Sequence, residues 1–221
     1  QLSNLLSSSL GFDISGNTFL GHTSHAIFVT PGTTATNIAQ LEGTISSNSI
    51  GNGTADSGSR DGYGIRLDIR GDVTATVAVT GNTIRNTDLE GIFVESRLDN
   101  DADAEVGHLD LTLRDNDAGQ PDDNSAIPFG AIYGTRVEAR NTTVLCLDIA
   151  ANDAESVGIF EDIRLRQRDT STFRLERFTG NGAVDTSVEG FVTGENPLID
   201  NADATHSISF TGVANGFCGK P

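Results

Sequence analysis

Apolar and polar residues alternate along much of the chain, and the alternation recurs in register. In His108-Leu109-Asp110-Leu111-Thr112-Leu113-Arg114 and in Ile163-Arg164-Leu165-Arg166 every second side chain is apolar, the period of a strand with one buried face. Helical spacing is nearly absent. Five segments place an apolar residue three positions ahead of an asparagine: Ile14 and Asn17, Ile45 and Asn48, Val79 and Asn82, Leu113 and Asn116, Ile149 and Asn152. These asparagines recur at intervals of 31, 34, 34 and 36, and Phe19, Ile50 and Ile84 follow the first three two positions on. A second element lies between the anchors: Ala26-Ile27-Phe28-Val29, Gly64-Ile65-Arg66-Leu67, Gly91-Ile92-Phe93-Val94, Ala131-Ile132-Tyr133 and Asp162-Ile163-Arg164-Leu165. Each repeat thus carries at least two strands.

A unit of two or three short strands cannot bury its own apolar face, whereas stacked units form one continuous core. The pattern predicts an all-β chain, a right-handed parallel β-helix of about five to six coils with a C-terminal cap. Asn17, Asn48, Asn82, Asn116 and Asn152 would stack at a turn and bond from coil to coil. An antiparallel β-sandwich also has short strands and Gly-rich turns, but it predicts no repeat. Segments 52–61 and 99–107 are expected to protrude as loops. Coils are assigned to 1–178 and a cap to 179–221, in one continuous domain. Within the cap, Thr186-Ser187-Val188-Glu189 has the form of a capping box. A helix is expected to about Val192, stopped by Asn196-Pro197, with a last strand at 207–211. Leu2, Leu5, Leu6 and Leu10 are either one face of a short capping helix or part of a preceding coil.

Charge narrows the partners. The 221 residues hold 14 Lys plus Arg against 31 Asp plus Glu, a net charge of -17, and no basic stripe is present to displace counterions from nucleic acid. Cations are the expected charged partners, although acidity also keeps a long exposed surface soluble. No run of about 18 apolar residues exists for a membrane span. The chain has no Met, so Gln1 reads as a processing point or fragment boundary, and a longer precursor is expected. Cys146 and Cys218 lack the paired spacing of a zinc or redox site. They read as a disulfide, with two unrelated buried thiols as the alternative.

Cys146-Leu147-Asp148-Ile149, then Asp162-Ile163-Arg164-Leu165-Arg166-Gln167-Arg168, then Gly216-Phe217-Cys218 resemble the C-terminal region of large bacterial surface or secreted right-handed β-helix repeat proteins. The resemblance covers roughly residues 143–221. The upstream coils fit the broader pectate-lyase-like superfold. It implies export and surface display, an extracellular location, and no catalytic residue to carry over.

Enzymes share that superfold, so a site has to be argued from residues. Asn86-Thr87-Asp88 and Asp122-Asp123 resemble two elements of the polygalacturonase carboxylate set. The remaining elements fail: Gly21-His22 and Gly107-His108 both precede Asp122, neither is followed by Gly, and no Arg-Ile-Lys occurs. If the chain is an enzyme, Asp88, Asp122 and Asp123 are the candidate carboxylates. A lyase would want calcium and a basic residue, for which Arg136, Arg140, Arg164, Arg166 and Arg168 qualify by type. Arg164, Arg166 and Arg168 read better as an outward ladder paired with acids on neighbouring coils. Asp99, Asp101 and Asp103 alternate like calcium ligands, but Ala104 stands where a glycine is expected. Asp115, Asp117, Asp122 and Asp123 form a second acidic group. His22, His25, His108 and His206 show no metal-ligand spacing, and no nucleophile elbow is present. The reading is a non-enzymatic extracellular structural or adhesive module that assembles with copies of itself or with other surface proteins. A polysaccharide-acting enzyme, lyase or hydrolase, or a glycan-binding module is the alternative.

Overall fold

The computed structural model describes residues 2–4, 9–31, 39–54, 57–98, 106–119, 133–156 and 161–221. The first coils comprise β1 (Leu2–Asn4), β2 (Ser9–Ser15), β3 (Thr18–Phe19), β4 (Ile27–Pro31), β5 (Ala39–Ser46), β6 (Ser49–Ile50), β7 (Ile65–Arg70), β8 (Val73–Thr80), β9 (Thr83–Ile84) and β10 (Ile92–Arg97). They continue as β11 (His108–Arg114), β12 (Asp117–Ala118), β13 (Thr135–Ala139), β14 (Val144–Ala150), β15 (Asp153–Ala154), β16 (Ile163–Gln167) and β17 (Thr172–Glu176). The chain ends through α1 (Asp185–Glu195), β18 (Ala202–Thr205) and β19 (Phe210–Val213).

All strand pairings are parallel and fall into three sheets. Sheet I stacks β1-β4-β7-β10-β13-β16-β18, sheet II stacks β2 to β19 through β5, β8, β11, β14 and β17, and sheet III stacks β3, β6, β9, β12 and β15. Each turn of the chain adds one strand to each sheet, which is a parallel β-helix. Five coils carry all three strands, and in the sixth α1 stands in chain order where the sheet III strand would be.

Rows of like residues fill the interior. Ile14, Ile45, Val79, Leu113 and Ile149 stack in one row of sheet II. Val29, Leu67, Val94, Val137 and Leu165 stack in sheet I. The last four of each row are at most 1 % exposed. Volume is exchanged between rungs: a Cβ on Gly43 would lie 2.3 Å from the Phe12 ring, so the large side chain of one coil occupies the space left by the small one of the next.

The turn from sheet II to sheet III explains the sequence repeat. The backbone N–H and Nδ2 of each asparagine both donate to Oδ1 of the asparagine one coil on, from Asn17 through Asn48, Asn82 and Asn116 to Asn152. From the second rung on, each Nδ2 also donates back to the apolar anchor of the preceding coil: Asn48 to Ile14 O, Asn82 to Ile45 O, Asn116 to Val79 O and Asn152 to Leu113 O, at 2.8 to 2.9 Å. The three-residue spacing is therefore a bonding requirement. The residue before each asparagine, Gly16, Ser47, Gly81, Asp115 or Ala151, has a positive φ between 55° and 65°.

Several expectations need correction. The fifth strand of sheet I is Thr135–Ala139, whereas the sequence pattern placed it at Ala131-Ile132-Tyr133, of which Ala131 and Ile132 lie outside the described residues; Thr135 takes the inward place that isoleucine fills in neighbouring coils, which hid the register. The capping box does not form, since α1 starts after Val184 and no side chain caps it. It runs to Glu195, past Val192. The last strand begins at Phe210, and β18 precedes it unforeseen. Both pair with coil strands, so 179–221 extends the solenoid as well as capping it. At the start, Leu2 and Leu10 lie in strands, which favours the coil over the helix; Leu5 and Leu6 lie outside the described residues. Within 52–61, Ser57 and Ser59 are buried; Ser57 O accepts from the Gly21 N–H, and Gly58 O and the Arg60 N–H bond the backbone of His22 on either side of Ser59, so this part packs rather than protrudes.

Candidate functional site

Sheet I turns alternate residues outward in rows. Phe28, Arg66, Phe93, Arg136, Arg164 and Asp203 form the first row. Asp68, Glu95, Glu138, Arg166 and Thr205 form the second. Arg70 and Arg97 pair in a third, beside Arg140 and Arg168 just beyond their strands. Long guanidinium stems lie over the carboxylates, so acids on an outward face become buried: Asp68 is 0 % and Glu138 1 % exposed.

Aromatic rings interleave with the arginines. Tyr63 and Phe93 stack with centroids 4.9 Å apart. Arg66 lies 5.3 Å from both the Phe28 and Tyr63 rings, Arg136 5.2 Å from Phe93 and Arg164 5.0 Å from Tyr133, within cation–π range. Asp68 accepts from Arg70 Nε at 2.9 Å and Arg66 at 3.1 Å, with Arg97 at 3.6 Å. Burial works to raise its pKa, but the Arg70 bond and the charges of Arg70, Arg66 and Arg97 outweigh it and hold the carboxyl below the usual range. Glu138 sits likewise: burial raises it, while Arg136 at 2.6 Å, Arg168 at 3.0 Å and the charge of Arg166 bring it below its ordinary value. Glu90 is shifted the other way. Burial dominates there and raises it despite Arg136 at 3.4 Å. His25 is lowered by burial and then by Arg66; its Nδ1 accepts the Tyr63 N–H at 3.2 Å.

A second charged group ties down the C-terminal tail on the outside of sheet II. Asp148, fully buried, accepts from Arg114 at 2.6 and 2.8 Å, from Arg177 at 3.0 Å and from Lys220 at 2.9 Å. Burial pushes its carboxyl up, and Arg114 and Lys220 more than reverse this, so it too is held low. Glu176 accepts the Gly216 and Cys218 N–H groups. Cys146 and Cys218 are joined as a disulfide.

Of the carboxylates singled out by sequence as catalytic or calcium candidates, Asp88 alone lies among the described residues. Asp88 is 9 % exposed in the turn before β10, its N–H bonded to Ser59 O. Asp122 and Asp123, and the calcium candidates Asp99, Asp101 and Asp103, lie outside the described residues. Asp117 is engaged by Arg85 at 2.7 Å. Among the described residues no three His, Cys, Asp or Glu side chains converge to hold a metal ion. His108 bonds Asp110 at 3.0 Å and His206 pairs with Asp185. Arg164 and Arg168 pair with Asp203 and Glu138 on neighbouring coils, while Arg166 stands 4.0 Å from Glu138.

Sequence reasoning overlooked Asp68, Glu90, Glu95 and Glu138. For Asp68, Glu95 and Glu138 the only signal is the alternation of acid or arginine with apolar residues in β7, β10 and β13, and Glu90, in the turn before β10, has none. No protein-family model matches the chain, and no curated protein or solved structure matches it.

Proposed function

We propose that the protein is a non-enzymatic extracellular β-helix module, structural or adhesive, whose stiff stack of coils presents the charged and aromatic face of sheet I. The observation that carries this reading is the engagement of Asp68 and Glu138. Each is held ionised by several arginines, so each serves to neutralise the face and lock its rungs together. Among the described residues no helix is long and apolar enough to cross a membrane. The disulfide supports export to an oxidising compartment. Retention of polysaccharide-coated beads by the immobilised chain tests adhesion, and an inert surface would refute it. Electron microscopy at high concentration, with and without calcium, tests end-to-end assembly: fibres support it and dispersed monomers oppose it.

One observation favours a catalytic reading. Arg136 holds Glu138, whose pKa is lowered, and Glu90, whose pKa is raised, and such divergence is how acid and base roles are separated. Polysaccharide cleavage abolished by Glu90→Gln would establish that alternative.

A further inference from the structure

Asparagine precedes glycine three times in the chain, at Asn52-Gly53, Asn181-Gly182 and Asn215-Gly216, and the fold treats the three pairs differently. In such a pair the glycine nitrogen can reach the asparagine carboxamide, because no glycine Cβ stands in the way. At Gly216 the nitrogen is committed, its N–H donating to Glu176 Oε1 at 2.8 Å. Gly182 is wedged in the cap: a Cβ there would lie 1.8 Å from Phe210 O, and its own carbonyl accepts the Phe210 N–H at 3.1 Å. Gly53 lies in an exposed part of the turn from sheet III to sheet I, with φ at 86° and nothing within 4 Å of where a Cβ would stand. Among the described residues its N–H donates to nothing. The turn around it is nonetheless braced. The Asn52 N–H donates to Ser57 Oγ at 3.0 Å, and the Ser57 N–H donates to Thr54 O at 3.0 Å. Asn52 Oδ1 accepts twice, from the Thr54 N–H at 3.1 Å and from the Thr54 hydroxyl at 2.7 Å. The first of these bonds folds the side chain back over the Gly53 peptide, which sets the carboxamide carbon beside the one unengaged nitrogen. Asn181 Oδ1 takes a matching N–H, from Ala183 at 3.1 Å, but no hydroxyl.

We propose that Asn52 is a self-modifying site, at which the Gly53 nitrogen attacks the Asn52 carboxamide and expels ammonia without an enzyme. The Gly53 N–H proton passes to water as the bond from nitrogen to Cγ forms. Negative charge then develops on Oδ1, where the Thr54 N–H and hydroxyl already point. The Cγ–Nδ2 bond breaks next, Nδ2 takes up a proton and leaves as ammonia, and a cyclic succinimide remains. Water opens that ring at either carbonyl and leaves aspartate or isoaspartate at position 52. In sum, a carboxamide and water become a carboxylate and ammonia, with no oxidant or cofactor. The isoaspartate form adds one backbone carbon between the buried Gly51 and the buried Ser57. Either form adds a negative charge to a chain already at -17. The inference concerns this turn alone and stands apart from what the sheet I face holds.

Incubation of the folded full chain in warm, mildly alkaline buffer tests it, with peptide mass mapping and isoaspartate detection as readouts. Asn52 converts first, roughly tenfold ahead of Asn181 and Asn215, and Thr54→Val, which removes one donor to the developing oxyanion, slows it by about the same factor. Thr54→Ser, which keeps the hydroxyl, restores the wild-type rate. In denaturant with the disulfide reduced, the three pairs convert at similar rates, because none of these bonds persists. Equal rates for the three pairs in the folded chain overturn the site, as does an intact Asn52 where either of the others has converted. A rate that Thr54→Val leaves unchanged, in a variant whose circular dichroism matches the wild type, overturns the part given to the hydroxyl. A denatured chain that already favours Asn52 to the same degree overturns the part given to the fold.

Discussion

A single asparagine per coil satisfies groups that the turn from sheet II to sheet III would otherwise bury without partners. Removing the Asn82 side chain strands the Asn48 N–H, leaves Asn48 Nδ2 with Ile14 O and Asn116 Oδ1 with the residue-82 N–H, and takes a donor from the Ile45 carbonyl. Asn82→Ala is accordingly expected to cost about 2–4 kcal/mol in denaturant unfolding, while Asn17→Ala, exposed at the first rung, costs under about 1 kcal/mol. Ala151 is exposed with φ at 55°, a conformation that favours glycine, so Ala151→Gly should raise stability by about 0.5–1 kcal/mol. The five asparagines were legible because their spacing recurs. A sixth, Asn196, was not: it sits 44 residues after Asn152, behind α1, and was read only as a helix stop. It accepts from the Asn152 N–H and Nδ2 at 2.9 Å and donates to Val192 O, so it both ends the helix and closes the ladder.

Sheet I is where pH acts. Asp68, Glu138 and Asp148 on sheet II all have folded pKa values below their ordinary ones. Their stabilisation is fully present above the unfolded carboxylate values of about 4 and is lost as pH falls through the lowered folded values. Glu90, Asp153 and Asp203, raised chiefly by burial, contribute with the opposite sign and recover some stability on acidification. Because the first group is bound by several arginines, unfolding midpoints should drop between about pH 5 and pH 3, and less steeply in Asp68→Asn. An acid limb of equal slope in that variant would count against the network. Inward isoleucine and valine made the strands readable. The outward pairs were not, because partners such as Glu90 and Arg136 lie 46 residues apart and meet only once the coil length is known. The absent capping box shows the same limit: Thr186 to Glu189 fits the local motif, yet burial of Val188 and Val192 at the end of the core places the helix start at Asp185.

The whole molecule is stitched at one end by the Cys146–Cys218 disulfide, which spans 72 residues and fastens the tail across sheet II. Closing a loop of that length constrains the unfolded chain by about 4 kcal/mol on the chain-entropy account, so the double variant Cys146→Ala, Cys218→Ala should lose stability of that order, checked by equilibrium unfolding. A solenoid coupled mainly through nearest neighbours should lose it chiefly in coils from β14 onward, visible as faster amide exchange there. The parallel β-helix was readable from repeat and alternation, whereas its working surface emerged only from stacking. The central claim, that this surface holds partners without transforming them, is tested most directly by incubating the chain with acidic and neutral polysaccharides and measuring new reducing and unsaturated ends. The account predicts bound glycans of unchanged length and no new ends; steady release of shortened or unsaturated products would contradict it.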